Sequence, residues 1–269
     1  VASPRGLDHI VVLVRDLDAA AEAWGALGFR VGRENHHPFG TKNRIIQFPG
    51  VFVELLAIAD RALVSEHGPR FFSFAAFHRD RLARVGEGPS GLVLESRNAV
   101  ADAEAFARAG IGDFAPFFFE RQGVRADGAA VDVAFELAFA VDAASPDLCF
   151  FACEQKRPEN FWSAEAQAHA NGGGEVKGVI LTAENPSDHH VFLRAFTGID
   201  AFRATSSGLA FETPRGAIEV LTAEAFHRRT GQDVKTGPEL KLSALRLSAP
   251  SAAVIAPERL SGLTLLLEA

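Results

Sequence analysis

The chain opens with two apolar runs, each broken by polar residues. The first is Ile10-Val11-Val12-Leu13-Val14, headed by Asp8-His9; in the second, Glu54 separates Val51-Phe52-Val53 from Leu55-Leu56-Ala57. Short continuous apolar runs predict strands buried on both faces. Between them, Leu17, Ala20, Trp24 and Leu27 recur at helical spacing. Asp16 precedes them as a natural N-cap, and Gly28 stands where the helix should end in a left-handed turn. A Gly-bounded strand and the polar loop Asn35-His36-His37-Pro38-Phe39-Gly40-Thr41-Lys42-Asn43-Arg44 complete a β-α-β-β-β order.

This pattern repeats. Asn98 precedes Gly110-Ile111 at the spacing that separates Asp16 from Gly28-Phe29, and Gly198-Ile199 closes a third helix for which Ser187 is the expected cap. The second copy predicts strands over residues 91–96, 114–121, 131–141 and 148–154. The third predicts them over 178–183, 208–213 and 217–222. A fourth copy is degenerate, with strands over 241–248 and 263–268 but no helix between them. Repetition on this scale signals a modular architecture. The expected fold class is α+β, with β-α-β-β-β modules pairing into curved mixed sheets and the second pair incomplete. Two pairs predict two domains, residues 1–172 and 173–269, divided at Gly172-Gly173-Gly174.

His9 and Glu54 are the chemically informative interruptions. A buried carboxylate without a partner costs several kcal/mol, so Glu54 calls for a cation, a proton or a basic neighbour. An imidazole and a carboxylate projecting from strands into one concavity also form the start of a divalent metal site. The competing reading is a structural histidine held by Asp8 or by a backbone carbonyl.

Composition narrows the field. A formal net charge of −7 and the lack of any basic run argue against a nucleic-acid partner. No apolar stretch is long enough to span a bilayer, so neither membrane insertion nor any location but the cytoplasm is expected. Cys149 and Cys153 lie four apart on one predicted strand, too far for a disulfide, and read as buried thiols. No Gly-rich phosphate loop, nucleophile elbow or paired Cys-x-x-Cys motif is present.

Three segments resemble the glyoxalase-like branch of the vicinal oxygen chelate superfamily, which also includes bleomycin-resistance proteins and extradiol dioxygenases. They are Leu7-Asp8-His9-Ile10-Val11-Val12, His37-Pro38-Phe39-Gly40-Thr41-Lys42-Asn43 and Phe52-Val53-Glu54-Leu55-Leu56. Pro158-Glu159-Asn160-Phe161-Trp162 and His169-Ala170-Asn171-Gly172 extend the likeness, which covers residues 6–222. The resemblance implies a divalent metal such as Mn, Fe or Zn, bound by His9 and Glu54 with a third ligand from the second module. Gly91 stands where that module would supply a histidine, leaving Glu154 as the expected ligand. Lys42 and Lys156 also stand where the branch commonly carries histidine.

Other contacts follow from position. Thr41 and Asn43 are expected to touch a substrate, with His37 as the inward member of the histidine pair by resemblance. Lys42 and Arg44 would steer an anionic ligand, and His169 and Asn171 would close over the pocket. The phenylalanines of 114–119 and 135–139 read as core and secondarily as an apolar pocket wall. In the second half Gly178 and Glu219 match His9 and Glu54, and Arg203 or Arg215 is the expected partner of Glu219.

Three functions fit. The first is binding of a small carbonyl or anionic molecule with metal-assisted lyase or isomerase chemistry, Glu54 or Glu154 moving the proton. The second is a metal-free binding or sequestering protein. The third is an extradiol-type dioxygenase, which the missing second histidine disfavours. A small-molecule ligand is the expected partner, and a homodimer is compatible with each reading.

Overall fold

The computed structural model describes residues 3–124 and 128–269. Its strands fall into two sheets, with the connecting segment 156–175 between them. Residues before it form an eight-stranded sheet and residues after it a seven-stranded one.

The first sheet contains β1 (Leu7–Leu13), β2 (Asn35–His36), β3 (Thr41–Phe48), β4 (Val51–Ile58), β5 (Gly88–Glu95), β6 (Phe117–Val124), β7 (Ala130–Ala140) and β8 (Cys149–Gln155). Their spatial order is β2-β3-β4-β1-β5-β8-β7-β6. β1 pairs parallel to β4 and antiparallel to β5, and β5 pairs parallel to β8. The two modules thus join along β1 and β5. The second sheet contains β9 (Val176–Thr182), β10 (Arg203–Thr205), β11 (Gly208–Glu212), β12 (Ala217–Leu221), β13 (Lys241–Ser248), β14 (Ala253–Ile255) and β15 (Thr264–Glu268), with β9 and β13 at its join. The fold is mixed α+β with two curved mixed sheets.

Helices α1 (Leu17–Gly25) and α3 (Ala99–Arg108) start as the caps predict. Asp16 accepts from the amides of Asp18 and Ala19, and Asn98 accepts from that of Ala101. Gly28, Gly110 and Gly198 all adopt positive φ, 84°, 72° and 70°, where a side chain would be strained. Ser187 does not cap the third helix. It lies inside a 3-10 turn over Pro186–His189 that leads into α5 (His190–Thr197), and its hydroxyl donates to Asn185 Oδ1.

Helices α2 (Phe74–Arg84) and α6 (Ala223–Thr230) were not legible in the module pattern, and they occupy matching places after β4 and β12. Between them in sequence lies the short α4 (Pro158–Phe161) of the connecting segment.

One face of each sheet packs into a single core shared by both halves. That core takes Leu17 and Trp24 from α1, Phe106 from α3, and Phe192 and Phe196 from α5. Phe106 packs at a tilt and Phe150 edge-on against Phe196 across the join between the halves. The opposite face of the first sheet is separate, lined by Val11, Leu56, Phe135, Phe151 and Cys153 and covered by Phe74 and Leu82 of α2. The opposite face of the second sheet is covered by Phe226 of α6. No helix is long and apolar enough to cross a membrane among the described residues.

Candidate functional site

The separate face of the first sheet curls into a pocket that encloses about 450 Å³ between its atoms when the solvent at its mouth is included. Phe39, Phe52, Phe74, Phe119, Phe135 and Phe151 form most of its wall, and His9, His37, Asn43, Glu54 and Arg121 carry its polarity. Strand alternation puts His9 on this face with Val11 and Leu13, and Phe52 with Glu54. The Phe-rich segments are therefore pocket wall as well as core.

A bulge gives the site its first pair. Between β1 and β5 the register passes from Leu7 opposite Leu94 to His9 opposite Val93, leaving Asp8 as the extra residue. His9 Nδ1 lies 2.5 Å from Asp8 Oδ1, and Gln155 Nε2 donates to the other Asp8 oxygen at 3.1 Å. Because a carboxylate only accepts, His9 carries its proton on Nδ1 and turns Nε2 toward Glu54 Oε2, 3.8 Å away. The imidazole is stacked on Phe52, with ring centroids 4.1 Å apart.

Glu54 is 5% exposed. Its one hydrogen bond among the described residues comes from Asn43 Nδ2 to Oε1 at 2.6 Å. Burial raises its pKa above the ordinary carboxylate value, against the opposing pull of His9, the Asn43 hydrogen bond and Arg121. His37 is buried beside it, donating from Nδ1 to Thr41 Oγ1 at 2.7 Å and accepting at Nε2 from Asn43 at 3.2 Å. Burial lowers the His37 pKa to about 3, so it is neutral.

Asn43 in turn accepts from Asn35 Nδ2 at 3.1 Å, and Asn35 accepts from Arg121 Nη1 at 3.1 Å. A chain of hydrogen bonds therefore runs from a guanidinium to the Glu54 carboxylate. It also joins the two edge strands, since Asn35 lies on β2 and Arg121 on β6. Phe39 packs on Phe117 and Phe119 across the same gap, so the curled sheet nearly closes on itself.

Several expected site residues lie elsewhere. Glu154 falls on the opposite face of β8, where Oε2 accepts from the backbone N–H of Ala99 and Oε1 pairs with Lys156 at 2.7 Å. Its neighbour Gln155 lies on the pocket side of β8 and acts there only through Asp8, to which it donates. His169 is a clamp between segments, bonded to the backbone of Arg30 and Gln47. Asn171 donates to Leu27 O and accepts from Gly173 N. Lys42 and Arg44 point outward to Glu34 and Asp18. Thr41 and Asn43 act on His37 and Glu54 from within the pocket wall. Both cysteines are buried free thiols.

The donor set does not fit a metal. Among the described residues, no three His, Cys, Asp or Glu side chains are arranged to hold one. Gly91 cannot supply the missing histidine, because a Cβ there would lie 2.8 Å from Val11 Cγ2. Cys153 reaches the pocket, but burial raises its pKa well above the ordinary thiol value and keeps it protonated.

The matching cleft of the second sheet holds its own ion pairs. Glu219 accepts from Arg229 Nη1 at 2.6 Å and Arg246 Nη1 at 2.7 Å. Arg203 is not its partner. Arg215 lies between the halves instead, donating to Leu7 O and Gly50 O and pairing with Glu95.

Solved structures share this fold. A hypothetical protein from Staphylococcus aureus is similar over 98% of this chain and 99% of its own, with TM-score 0.75 and 12% identity. A mutant of 4-hydroxymandelate synthase from Streptomyces coelicolor is similar over 93% of this chain and 72% of its own, with TM-score 0.50 and 8% identity. At such identities the likeness is one of fold. No curated protein matches the sequence. The glyoxalase-like domain model matches residues 7–197, most of the chain, and the protein belongs to that family within the vicinal oxygen chelate superfamily.

Proposed function

We propose that the Glu54 pocket binds a small apolar carbonyl compound and that Glu54 moves a proton on the carbon beside the carbonyl. The observation behind this reading is a carboxylate buried among phenylalanines with one neutral hydrogen-bond donor. Burial raises the pKa of such a group and makes it a stronger base than a solvated carboxylate. Glu54 takes the proton, and the C–H electron pair moves onto the carbonyl oxygen as an enolate. His9 Nε2 faces Glu54 and can receive that proton, its positive charge then balanced by Asp8. Return of the proton to the same or a neighbouring carbon gives epimerisation or isomerisation. His9, His37 and Glu54 share the pocket but are not arranged to hold a metal among the described residues, and His37 Nε2 is taken by Asn43, so Mn, Fe or Zn has no part in this reading, and neither lyase nor dioxygenase chemistry is needed.

Proton exchange tests it. Chelator-treated protein is incubated in D2O with 4-phenylbutan-2-one and related aryl ketones, and the α-proton signals are followed by NMR. The expected result is protein-dependent loss of those signals, reduced at least 100-fold in Glu54→Gln. Exchange no faster than the blank, or equal in Glu54→Gln, favours the sequestering role, in which the phenylalanine wall does no more than hold its ligand.

A further inference from the structure

Arg121 has work that its protein contacts leave undone. Its Nη1 is fully engaged, donating to Asn35 Oδ1 at 3.1 Å and Gln122 O at 3.2 Å. The other edge of the guanidinium is free: Nε is buried without a hydrogen-bond partner, and Nη2 has none among the described residues. A buried N–H without an acceptor is costly, and the Nε/Nη2 edge is a fork that matches the two oxygens of a carboxylate. No carboxylate of the described residues pairs with it, and Glu54 lies beyond ion-pair distance.

The position of this fork is equally telling. Arg121, Ile45 and Phe161 line both the inner pocket and a wider outer groove, so Arg121 stands where the two meet. Arg33, also on that groove, has no ion pair among the described residues. Cationic side chains at the mouth and phenylalanines within would sort a ligand end to end.

Resting on the reading of the pocket as a ligand site, we infer that Arg121 is a specificity-determining residue that clamps the carboxylate of an aryl or branched-alkyl acid, its apolar body inside the pocket. Two N–H···O bonds form in place of an unpaired buried donor. The hydrogen-bond chain through Asn35 holds the guanidinium in place before the ligand arrives, which lowers the cost of ordering it. The clamp also sets the distance from carboxylate to reacting carbon, since the ligand is anchored at the mouth and Glu54 lies at the floor.

A matched pair of probes tests the clamp. Binding of 3-phenylpropanoate and of the neutral, nearly isosteric 3-phenylpropanamide is measured by calorimetry on wild type, Arg121→Gln and Arg121→Lys, each checked for fold by circular dichroism. Wild type should bind the acid at least tenfold more tightly than the amide. Arg121→Gln should bind the two alike, and Arg121→Lys, which keeps the charge and loses the fork, should fall between. Equal binding of acid and amide by wild type, binding of neither, or an acid preference that survives Arg121→Gln overturns the inference. If the acid preference depends on Arg121 while proton exchange is absent, the clamp stands and the catalytic role of Glu54 falls. Exchange that needs Glu54 but shows no preference for acids gives the reverse.

Discussion

Asp8 and His9 are consecutive residues on one strand, and their side chains nevertheless meet at 2.5 Å on the same side of the sheet. Regular alternation would send them to opposite faces. The bulge at Asp8 cancels that alternation for one step, so the carboxylate orients the imidazole from its own backbone. A histidine held in this way keeps one tautomer and one direction.

Asp8→Asn should therefore disturb His9 without dismantling the pocket. The amide keeps an acceptor for His9 Nδ1 but loses the charge that balances a protonated ring. The expected stability loss is about 1–2 kcal/mol in urea unfolding. The proton-exchange rate should fall at least tenfold, and the 15N shifts of His9 should report a mixture of tautomers. A single unchanged tautomer in the variant would separate Asp8 from the role assigned to it.

Glu154 and Gln155 offer a paired comparison. Glu154→Gln should leave ligand binding intact and cost about 0.5–1 kcal/mol, since it weakens a carboxylate at the N-terminus of α3. Gln155→Ala should instead release Asp8 and lower proton exchange severalfold with little effect on stability. Calorimetry and urea unfolding on both variants measure the contrast.

This contrast also shows how far the sequence could be read. The caps Asp16 and Asn98, the glycines that end three helices and the pairing of modules are local signals, and the structure carries them. His9 and Glu54 were visible because each interrupts an apolar run. The choice between Glu154 and Gln155 was not, because β8 is buried on both faces: Phe150 and Ala152 point one way, Phe151 and Cys153 the other. With both faces apolar, alternation carries no label for the pocket side. Asn35, Arg121 and the bulge at Asp8 depend on how far the sheet curls, a tertiary property. The Glu219 partners were missed for the same reason, since Arg229 arrives on a helix outside the repeated pattern.

Two buried histidines should set the acid limit of the fold. Burial lowers the pKa of both His37 and His78 to about 3. His78 donates from Nδ1 to Phe74 O at 2.8 Å and has no partner at Nε2. Their folded pKa values lie below the unfolded ones, so the unfolded chain binds more protons between about pH 6.5 and 3. Stability is full above about pH 6.5 and falls as pH drops, by up to about 1.4 kcal/mol per pH unit for each histidine. Glu54 acts in the opposite sense. Its raised pKa favours the fold at pH below the ordinary carboxylate value, and that contribution is lost as pH rises through the folded value. Urea unfolding from pH 4 to 8 should show a shallower acid slope in His78→Phe and a gain at high pH in Glu54→Gln.

A last substitution concerns the second sheet. Glu219→Ala removes the acceptor shared by Arg229 and Arg246, while Arg246 keeps its two bonds to Glu268 at 2.8 and 3.0 Å. The expected loss is about 2 kcal/mol, between values typical of exposed and buried pairs. It should shrink in high salt, as urea midpoints at two ionic strengths would register.

That trio of charges sets the two halves of this protein apart. The cleft around Glu219 is the counterpart of the Glu54 pocket, and its occupant is part of the chain. Arg229 and Arg246 are in effect tethered ligands, present at a local concentration that no diffusing molecule matches. The carboxylate is thereby neutralised from within the chain, while the space beside it, lined by Lys177, Arg203 and Glu212, stays open to solvent. One architecture therefore carries two carboxylates in opposite electrostatic circumstances: Glu219 is matched by cations of its own chain, and Glu54 has a single neutral donor among the described residues.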